Sequence, residues 1–186
     1  MKKINFASHF AVLLIVTILC GLIYAAVQQS HRSGANDPQL QIALDLKNAI
    51  ENNRPVEQWM SHDSTEISQS LSVFKTLYNK TGEPVQSTGF LNGQLPRMPK
   101  GVFDFTSNHQ EDVLTWQPQH GVRMAMVVES VKSSQIGFVA VGRSLNEIEK
   151  REANLTTMVL VAWLVCGGII LLHLILTYIN HKNQNK

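Results

Sequence analysis

The chain has 186 residues, with 16 lysines and arginines against 14 aspartates and glutamates, and charged residues make up only 16% of it. Soluble domains average about 25% charged residues, and the deficit here comes from two blocks, 4–31 and 153–181, that contain none. The sequence has no long run of lysine or arginine, which excludes a strongly basic nucleic-acid binder. The 44% hydrophobic content excludes a disordered chain.

The first uncharged block predicts a transmembrane helix over residues 9–27, after a short tail of residues 1–8. About 20 apolar residues are enough to cross a hydrocarbon core of about 30 Å. A cleaved signal peptide would have a shorter apolar stretch and an A-x-A-like end, which residues 24–27 fit poorly. Cys20 follows Leu19 rather than a small residue, which argues against lipidation. We therefore predict an uncleaved anchor.

Residues 28–156 predict an α+β domain with a long N-terminal helix and one antiparallel sheet of about five strands. Asn36-Asp37-Pro38 is a helix start, and apolar residues at helical spacing continue to about Asn53. Residues 56–70 are ambiguous between a short helix and a loop. A hairpin, a short helix and three more strands follow, at 71–78 with 84–88, 102–108, 112–117, 122–131 and 136–143.

The last strand leads into a second predicted transmembrane helix, residues 157–179, followed by a tail of residues 180–186. Ser144 and Glu147 match a capping box, and no proline follows, so Leu145 to Ile179 is predicted as one unbroken helix. Apolar and small residues on this helix alternate at spacings of three and four and form one stripe. The stripe comprises Leu145, Ile148, Glu152, Leu155, Val159, Ala162, Cys166, Ile169 and His173. Ser144, Leu145, Glu147, Ile148 and Leu155 are the predicted signal-carrying part.

Small residues in both spans predict close helix packing in the membrane. They are Thr17, Gly21 and Ala25 in the first span and Ala162 and Cys166 in the second. His173 is predicted to be neutral and hydrogen-bonded between helices. Its distance from the end of its span places it about 9 Å deeper than His9, which argues against a haem shared by the two. No cofactor is predicted.

The lysines flanking the spans predict that both tails are cytoplasmic and that the domain between the spans is exported. They are Lys2, Lys3, Lys182 and Lys186. The two cysteines, Cys20 and Cys166, both lie within the spans. The exported domain therefore folds without disulfides, and it has no CxxC metal site and no thiol nucleophile.

Four segments of the domain resemble the extracytoplasmic PAS-like (PDC or Cache-like) sensor region of bacterial two-component histidine kinases. They are TLYNKTGEPVQSTG at 76–89, PKGVFDF at 99–105, LTWQPQHGVR at 114–123 and GFVAVGRSLNEIEKRE at 137–152. The resemblance implies a PAS-like sheet, a bacterial inner membrane and a sensor or binding module. Only seven residues follow the second span, so kinase activity is not implied.

No enzyme motif is present, and no catalytic residue or metal site is predicted. His62-Asp63 is interpreted as a solvated loop pair. Arg123 and Arg143 are candidates to pair with a carboxylate ligand, in a concavity with aromatic walls. The wall candidates are Trp116, Tyr78 and Phe103. The alternative is that both arginines form structural ion pairs or face solvent.

Two functions follow from this sequence. In the first, the exported domain binds a small ligand or partner. The binding displaces the second membrane helix, and that displacement is passed to another membrane protein. The expected partner is a histidine kinase, another membrane protein or a second copy of the chain. In the second, the chain is an accessory membrane subunit whose exported domain binds another protein and senses no ligand.

Overall fold

The computed structural model describes residues 6–34, 37–60 and 64–184. The chain forms two compact units, Arg32–Glu149 and Met1–His31 with Lys150–Lys186. The first is called the globular domain and the second the helix pair. The predicted His62-Asp63 pair, the Asn36 cap and three of the flanking lysines (Lys2, Lys3 and Lys186) lie outside the described residues.

The globular domain begins with helix α2, Asp37–Glu51. Asp37 lies in the first turn, where the helix dipole favours a negative charge. The helix ends at Glu51, and the chain turns away at Asn53, whose φ of 53° is left-handed, while the amide of Arg54 donates to the carbonyl of Ala49 at 2.8 Å. The long helix predicted from the sequence is therefore confirmed.

The main sheet of the domain has five antiparallel strands, and this confirms the predicted α+β class. Its strands are β2 (Phe74–Tyr78), β3 (Pro84–Ser87), β5 (Glu111–Gln119), β6 (Val122–Ser130) and β7 (Phe138–Ser144). They lie in the order β3-β2-β7-β6-β5, so β3 and β5 are the outer strands. The ambiguous segment before the sheet contains turns and a two-residue strand β1, Thr65–Glu66, paired in parallel with β4, Gly89–Phe90.

The sheet is covered on both faces because its central strands alternate buried side chains between two clusters. On one face, α2 packs through Ala43, Leu46 and Ile50 against β2, β6 and β7. On the other face lie helix α3, Lys100–His109, and the loop before it. This second cluster comprises Ile67, Phe74, Tyr78, Met98, Phe103, Trp116, Val122, Met124, Met126, Val128, Phe138 and Ala140.

The helix pair consists of most of α1, Phe6–Ser33, and most of α4, Asn146–Gln184. Both helices are long and apolar enough to cross a membrane. α4 is continuous, as the sequence predicts, and begins one residue later than expected. Polar contacts between the described parts of the helices include Trp163 Nε1, which donates to Thr17 Oγ1 at 2.9 Å, and a longer contact of 3.5 Å between Thr156 Oγ1 and Tyr24 Oη.

The half-buried face of α4 departs from the predicted stripe in the second half of the helix. The half-buried positions there include Val159, Trp163, Cys166, Ile170 and Leu174, whereas the stripe residues Ala162, Ile169 and His173 are exposed. An alternation of three and four averages 3.5 residues per turn, and a straight α-helix drifts about 20° per heptad from that repeat. Over the four heptads from Leu145 to His173 the drift is roughly 80°, close to one residue position.

The small-residue row of the first span lies mainly on the outside of the helix pair. Gly21 and Ala25 are exposed, and a Cβ atom added at Gly21 would meet no atom within 4 Å. The half-buried positions of α1 instead include Leu13, Val16, Cys20 and Tyr24. Within one chain, larger residues therefore make the contact between the helices.

Candidate functional site: a groove and a charged junction

A groove of about 640 Å³ opens on the surface of the globular domain, within the 300–1,000 Å³ range typical of ligand pockets. One wall is the loop of residues 91–99, and the other is the end of β5, residues 116–118. Apolar lining is supplied by leucine, proline, methionine and tryptophan side chains, and polar lining by Asn92, Gln94, Arg97 and Gln117. This mixture suits a ligand that has both apolar and hydrogen-bonding parts.

The loop wall of the groove is held by hydrogen bonds at three places. Leu91 and Gln94 exchange backbone hydrogen bonds of 2.9 and 3.1 Å around a turn at Asn92-Gly93, where both residues have left-handed φ angles of 53° and 74°. Asn92 Nδ2 donates to Gln119 Oε1 at 3.1 Å, which links the loop to β5. Tyr78 Oη donates to the carbonyl of Pro96 at 2.8 Å. The groove is therefore formed before any ligand binds.

The three predicted aromatic wall residues lie in one buried cluster, and one of them lines the groove. Trp116 is mostly buried and contributes to the lining. Tyr78 is fully buried, its ring centroid is 4.8 Å from that of Phe103, and burial raises its pKa. Phe103 is also buried and packs against Phe138 at 5.0 Å. Tyr78 and Phe103 therefore support the groove from beneath.

The two predicted arginines lie on the other face of the sheet. Val122 and Met124 belong to the cluster with Trp116, so Arg123 between them is directed to the opposite face. Arg143 is on that face as well, because its register partner is Ala125. The structure therefore does not bring the arginines to the aromatic residues.

The arginines instead form ion pairs with the first turn of α4. Arg123 Nη1 is 2.5 Å from Glu149 Oε1, and Arg143 Nη2 is 3.7 Å from Glu147 Oε2. The amide of Leu145 also donates to the carbonyl of Arg123 at 2.9 Å. The end of the β6–β7 ladder and the start of α4 are thus linked by two ion pairs and a backbone hydrogen bond, a set called the junction below.

Two residues of the predicted signal helix, Ser144 and Glu147, make contacts at the start of α4. Ser144 Oγ accepts a hydrogen bond from the amide of Asn146 at 3.3 Å, the contact expected of a capping residue. Arg143 Nε also donates to the carbonyl of Leu71 at 3.2 Å. The arginine side chain therefore connects the start of the helix to the segment that precedes β2.

A third charged group lies beneath α2. Lys47 Nζ is 2.9 Å from Glu129 Oε2, and the Glu129 side chain is only 3% exposed. Burial raises the pKa of Glu129, the hydrogen bond and charge of Lys47 oppose that effect, and Glu111 adds to it. Glu111 is the register partner of Glu129 on the neighbouring strand. The two carboxylates repel each other, and Lys47 compensates for that repulsion.

The two histidines of the helix pair are in direct contact, which contradicts the predicted difference of about 9 Å in depth. His9 Nε2 and His173 Nδ1 are 3.0 Å apart, and the ring centroids are 5.2 Å apart. The sequence estimate counted residues from the ends of two apolar stretches. Those ends do not fix the register at which two antiparallel helices pack. The prediction of a His173 hydrogen bond between helices agrees with the contact.

Sequence reasoning missed the polar residues of the groove. Arg97, Gln94 and Asn92 lie in a loop that carries no periodic pattern, so only the turn signals around Gly93 and Pro96 marked it as a loop. Strand alternation was the available signal for the arginines, because a residue between two core-facing neighbours must face the other way. In the part of the chain that the structure describes, no three His, Cys, Asp or Glu side chains are grouped to hold a metal.

No family model matches the sequence, and no curated protein is detectably similar to it.

Proposed function

We propose that the chain is a membrane-anchored, sensor-like module of a bacterial inner membrane. In this proposal both termini are cytoplasmic and the globular domain lies outside. The groove binds a small ligand or a segment of a partner, and the change passes through α4 to another membrane protein, such as a histidine kinase, or to a second copy of the chain. The PAS-like resemblance and the five-stranded antiparallel sheet support this proposal.

The junction is the observation that carries the proposal. The residue after the end of β7 hydrogen-bonds to β6, and two residues of the first turn of α4 pair with arginines of those strands. Any shift of the β6–β7 ladder therefore acts on the start of the helix that continues into the second apolar stretch. A simple tether would need no such arginine pairs.

The groove is suitably placed to start such a shift. Trp116 lines the groove and is the register partner of Met124 on β6, while Arg123 is the next residue on that strand. A ligand that moves the end of β5 would therefore displace the backbone beside the junction. The two sites are connected through one pair of strands.

Binding can be tested by the fluorescence of Trp116 in the full chain, in lipid nanodiscs. The chain has three tryptophans, so replacing Trp59 and Trp163 with phenylalanine leaves Trp116 as the single reporter. A metabolite library that contains a groove ligand should change its emission and raise the unfolding temperature. A flat screen, together with a partner recovered by crosslinking, would favour the accessory-subunit function.

The relay can be tested by hydrogen exchange. Replacing both Arg123 and Arg143 with glutamine should increase the exchange of amides 146–151 and leave the centre of β6 protected, because partly exposed ion pairs contribute about 0–1 kcal/mol to the fold. Arg54→Gln is the matched control, since Arg54 is an exposed arginine of the same domain that lies after α2 and lines neither the groove nor the junction. Equal exchange in both variants would contradict a role for the junction.

A further inference from the structure

We propose that His9 and His173 together form a binding site for a divalent transition-metal ion in the helix pair. Imidazole nitrogens suit copper, zinc and nickel among the biological metals. The site is separate from the groove and the junction, and it does not depend on the sensing function. It would add a metal ion to a chain for which the sequence predicts none.

The distance between the two ring nitrogens fits a single ion. Zinc–nitrogen bonds are about 2.0–2.1 Å long, so two nitrogens on one ion lie about 2.9 Å apart at a right angle and about 3.3 Å apart at the tetrahedral angle. His9 Nε2 and His173 Nδ1 are 3.0 Å apart. A movement of a few tenths of an ångström would therefore suffice for either geometry.

The two rings are contributed by different helices and are already held side by side. Their planes are inclined by 30° with centroids 5.2 Å apart. The helices are also joined further along by the hydrogen bond from Trp163 to Thr17. This arrangement lowers the entropic cost of bringing two ligands to one ion.

Space for the remaining ligands lies beside the rings. His9 and His173 line a cavity of about 410 Å³ whose other walls are Val12, Ile169, Ile170 and Ser8. The Ser8 hydroxyl is the further polar side-chain group in that lining, and the cavity is large enough to hold an ion. The ion would thus have two protein nitrogens and an open coordination sphere.

The position along the helix makes a charged ion tolerable. His9 is the fourth residue of α1, about 4.5 Å from the start of the helix at 1.5 Å per residue. Water is available near the ends of a membrane span, whereas a charge at the centre costs several kcal/mol. The pair therefore lies close enough to the start of α1 for a bound ion to keep water ligands.

When both rings are neutral, no proton needs to be lost for an ion to bind. In the neutral pair one facing nitrogen carries hydrogen and the other accepts it. A metal requires lone pairs on both, so the donor ring moves its hydrogen to its other nitrogen. This change of tautomer conserves the charge of the protein.

The test is a titration of the full chain in nanodiscs with Cu²⁺, followed by electron paramagnetic resonance, and with Zn²⁺ in competition. The native Cys20 and Cys166 are first replaced with alanine. We expect one site with hyperfine coupling to two imidazole nitrogens. His9→Gln and His173→Gln should each weaken binding by about tenfold or more, while His120→Gln, at an exposed turn of the globular domain, should leave it unchanged.

A further variant distinguishes loss of a metal ligand from loss of the structure of the helix pair. His173→Cys keeps a zinc ligand, so it should retain Zn²⁺ binding where His173→Gln loses it. Equal affinity in all variants, or no saturable copper signal in the parent chain, would overturn the proposal and show that the histidines form only a hydrogen-bonded pair. Because none of these measurements involves the groove, a failure here leaves the sensing proposal to its own tests.

Discussion

The globular domain and the helix pair are stabilised in different ways. In the domain, Leu46, Val127 and Val141 are completely buried. In the helix pair, large apolar side chains remain mostly exposed, with Phe10 at 68% and Met158 at 70%. Contacts between the two helices include polar pairs such as Trp163 with Thr17.

This difference shows where each unit obtains its stability. The domain buries apolar area within its own chain, so water drives its folding. The exposed apolar surface of the helix pair needs lipid or another protein around it. In lipid, the hydrophobic effect no longer favours contact between two helices over their separation. Packing and hydrogen bonds then determine how the helices associate.

The largest expected effect is the loss of a core side chain in the globular domain. Leu46→Ala should lower the free energy of unfolding of the domain by about 2–5 kcal/mol, because a cavity is left between α2 and the sheet. The measurement is chemical unfolding followed by circular dichroism. Leu172→Ala, at a position 57% exposed in the helix pair, is the matched control. An equal loss in both variants would contradict the contrast between the units.

Removing the cation beneath α2 should have the next largest effect. Lys47→Met leaves the Glu129 carboxylate buried opposite Glu111 without its partner. We expect a loss of about 2–3 kcal/mol at pH 7, somewhat below the value for a fully enclosed pair, because Lys47 is partly exposed. Unfolding titrations of Lys47→Met, Glu129→Gln and the double variant measure the coupling. If the double variant is no more stable than Lys47→Met, the loss in Lys47→Met does not come from the unpaired Glu129 carboxylate.

A smaller effect is expected from pH. The folded-state pKa of Glu129 lies above its ordinary value of 4.5, so the folded protein takes up this proton at a higher pH than the unfolded chain. The contribution of Glu129 to stability is therefore complete below about pH 4.5 and is lost as the pH rises through the raised pKa. The difference in unfolding free energy between the parent and Glu129→Gln should decrease across that range. A difference independent of pH would show that the pKa is not raised.

The smallest expected effect lies in the helix pair. Thr17→Val removes the acceptor of the Trp163 hydrogen bond, and such bonds between membrane helices contribute about 0.6 kcal/mol on average. Energy transfer between labels on the two helices in bicelles measures the loss. Thr177→Val is the control, because that hydroxyl bonds to the carbonyl of His173 within its own helix. A loss above about 2 kcal/mol would show that this contact dominates the pair.

Much of the fold could be predicted because local pattern and tertiary structure agree. The change from helical to alternating periodicity located every strand of the five-stranded sheet to within about three residues. Pro38 and the capping residue Ser144 marked helix starts, and Val122, Met124, Met126 and Val128 share the predicted face of β6. These features depend on neighbours in sequence, which is why one sequence reveals them.

The candidate site was less predictable because it depends on residues distant in sequence. Arg97 belongs to the groove only because the loop carrying it folds over Trp116 and Gln117. The histidine contact depends on the register between two antiparallel helices, which neither apolar stretch encodes by its length. The partners of Arg123 and Arg143 were foreseen only as the alternative of structural ion pairs.

The two outer strands of the sheet also bear on aggregation. The outer strand β3 begins at Pro84, and β5 contains Pro118 within an irregular register between Trp116 and Gln119. Proline has no amide hydrogen to offer another strand, and the carboxylates of Glu111 and Asp112 at the start of β5 repel an identical edge. Both outer strands are thus interrupted by proline, and β5 also begins with two carboxylates, so concentrated protein should resist polymerisation by strand addition.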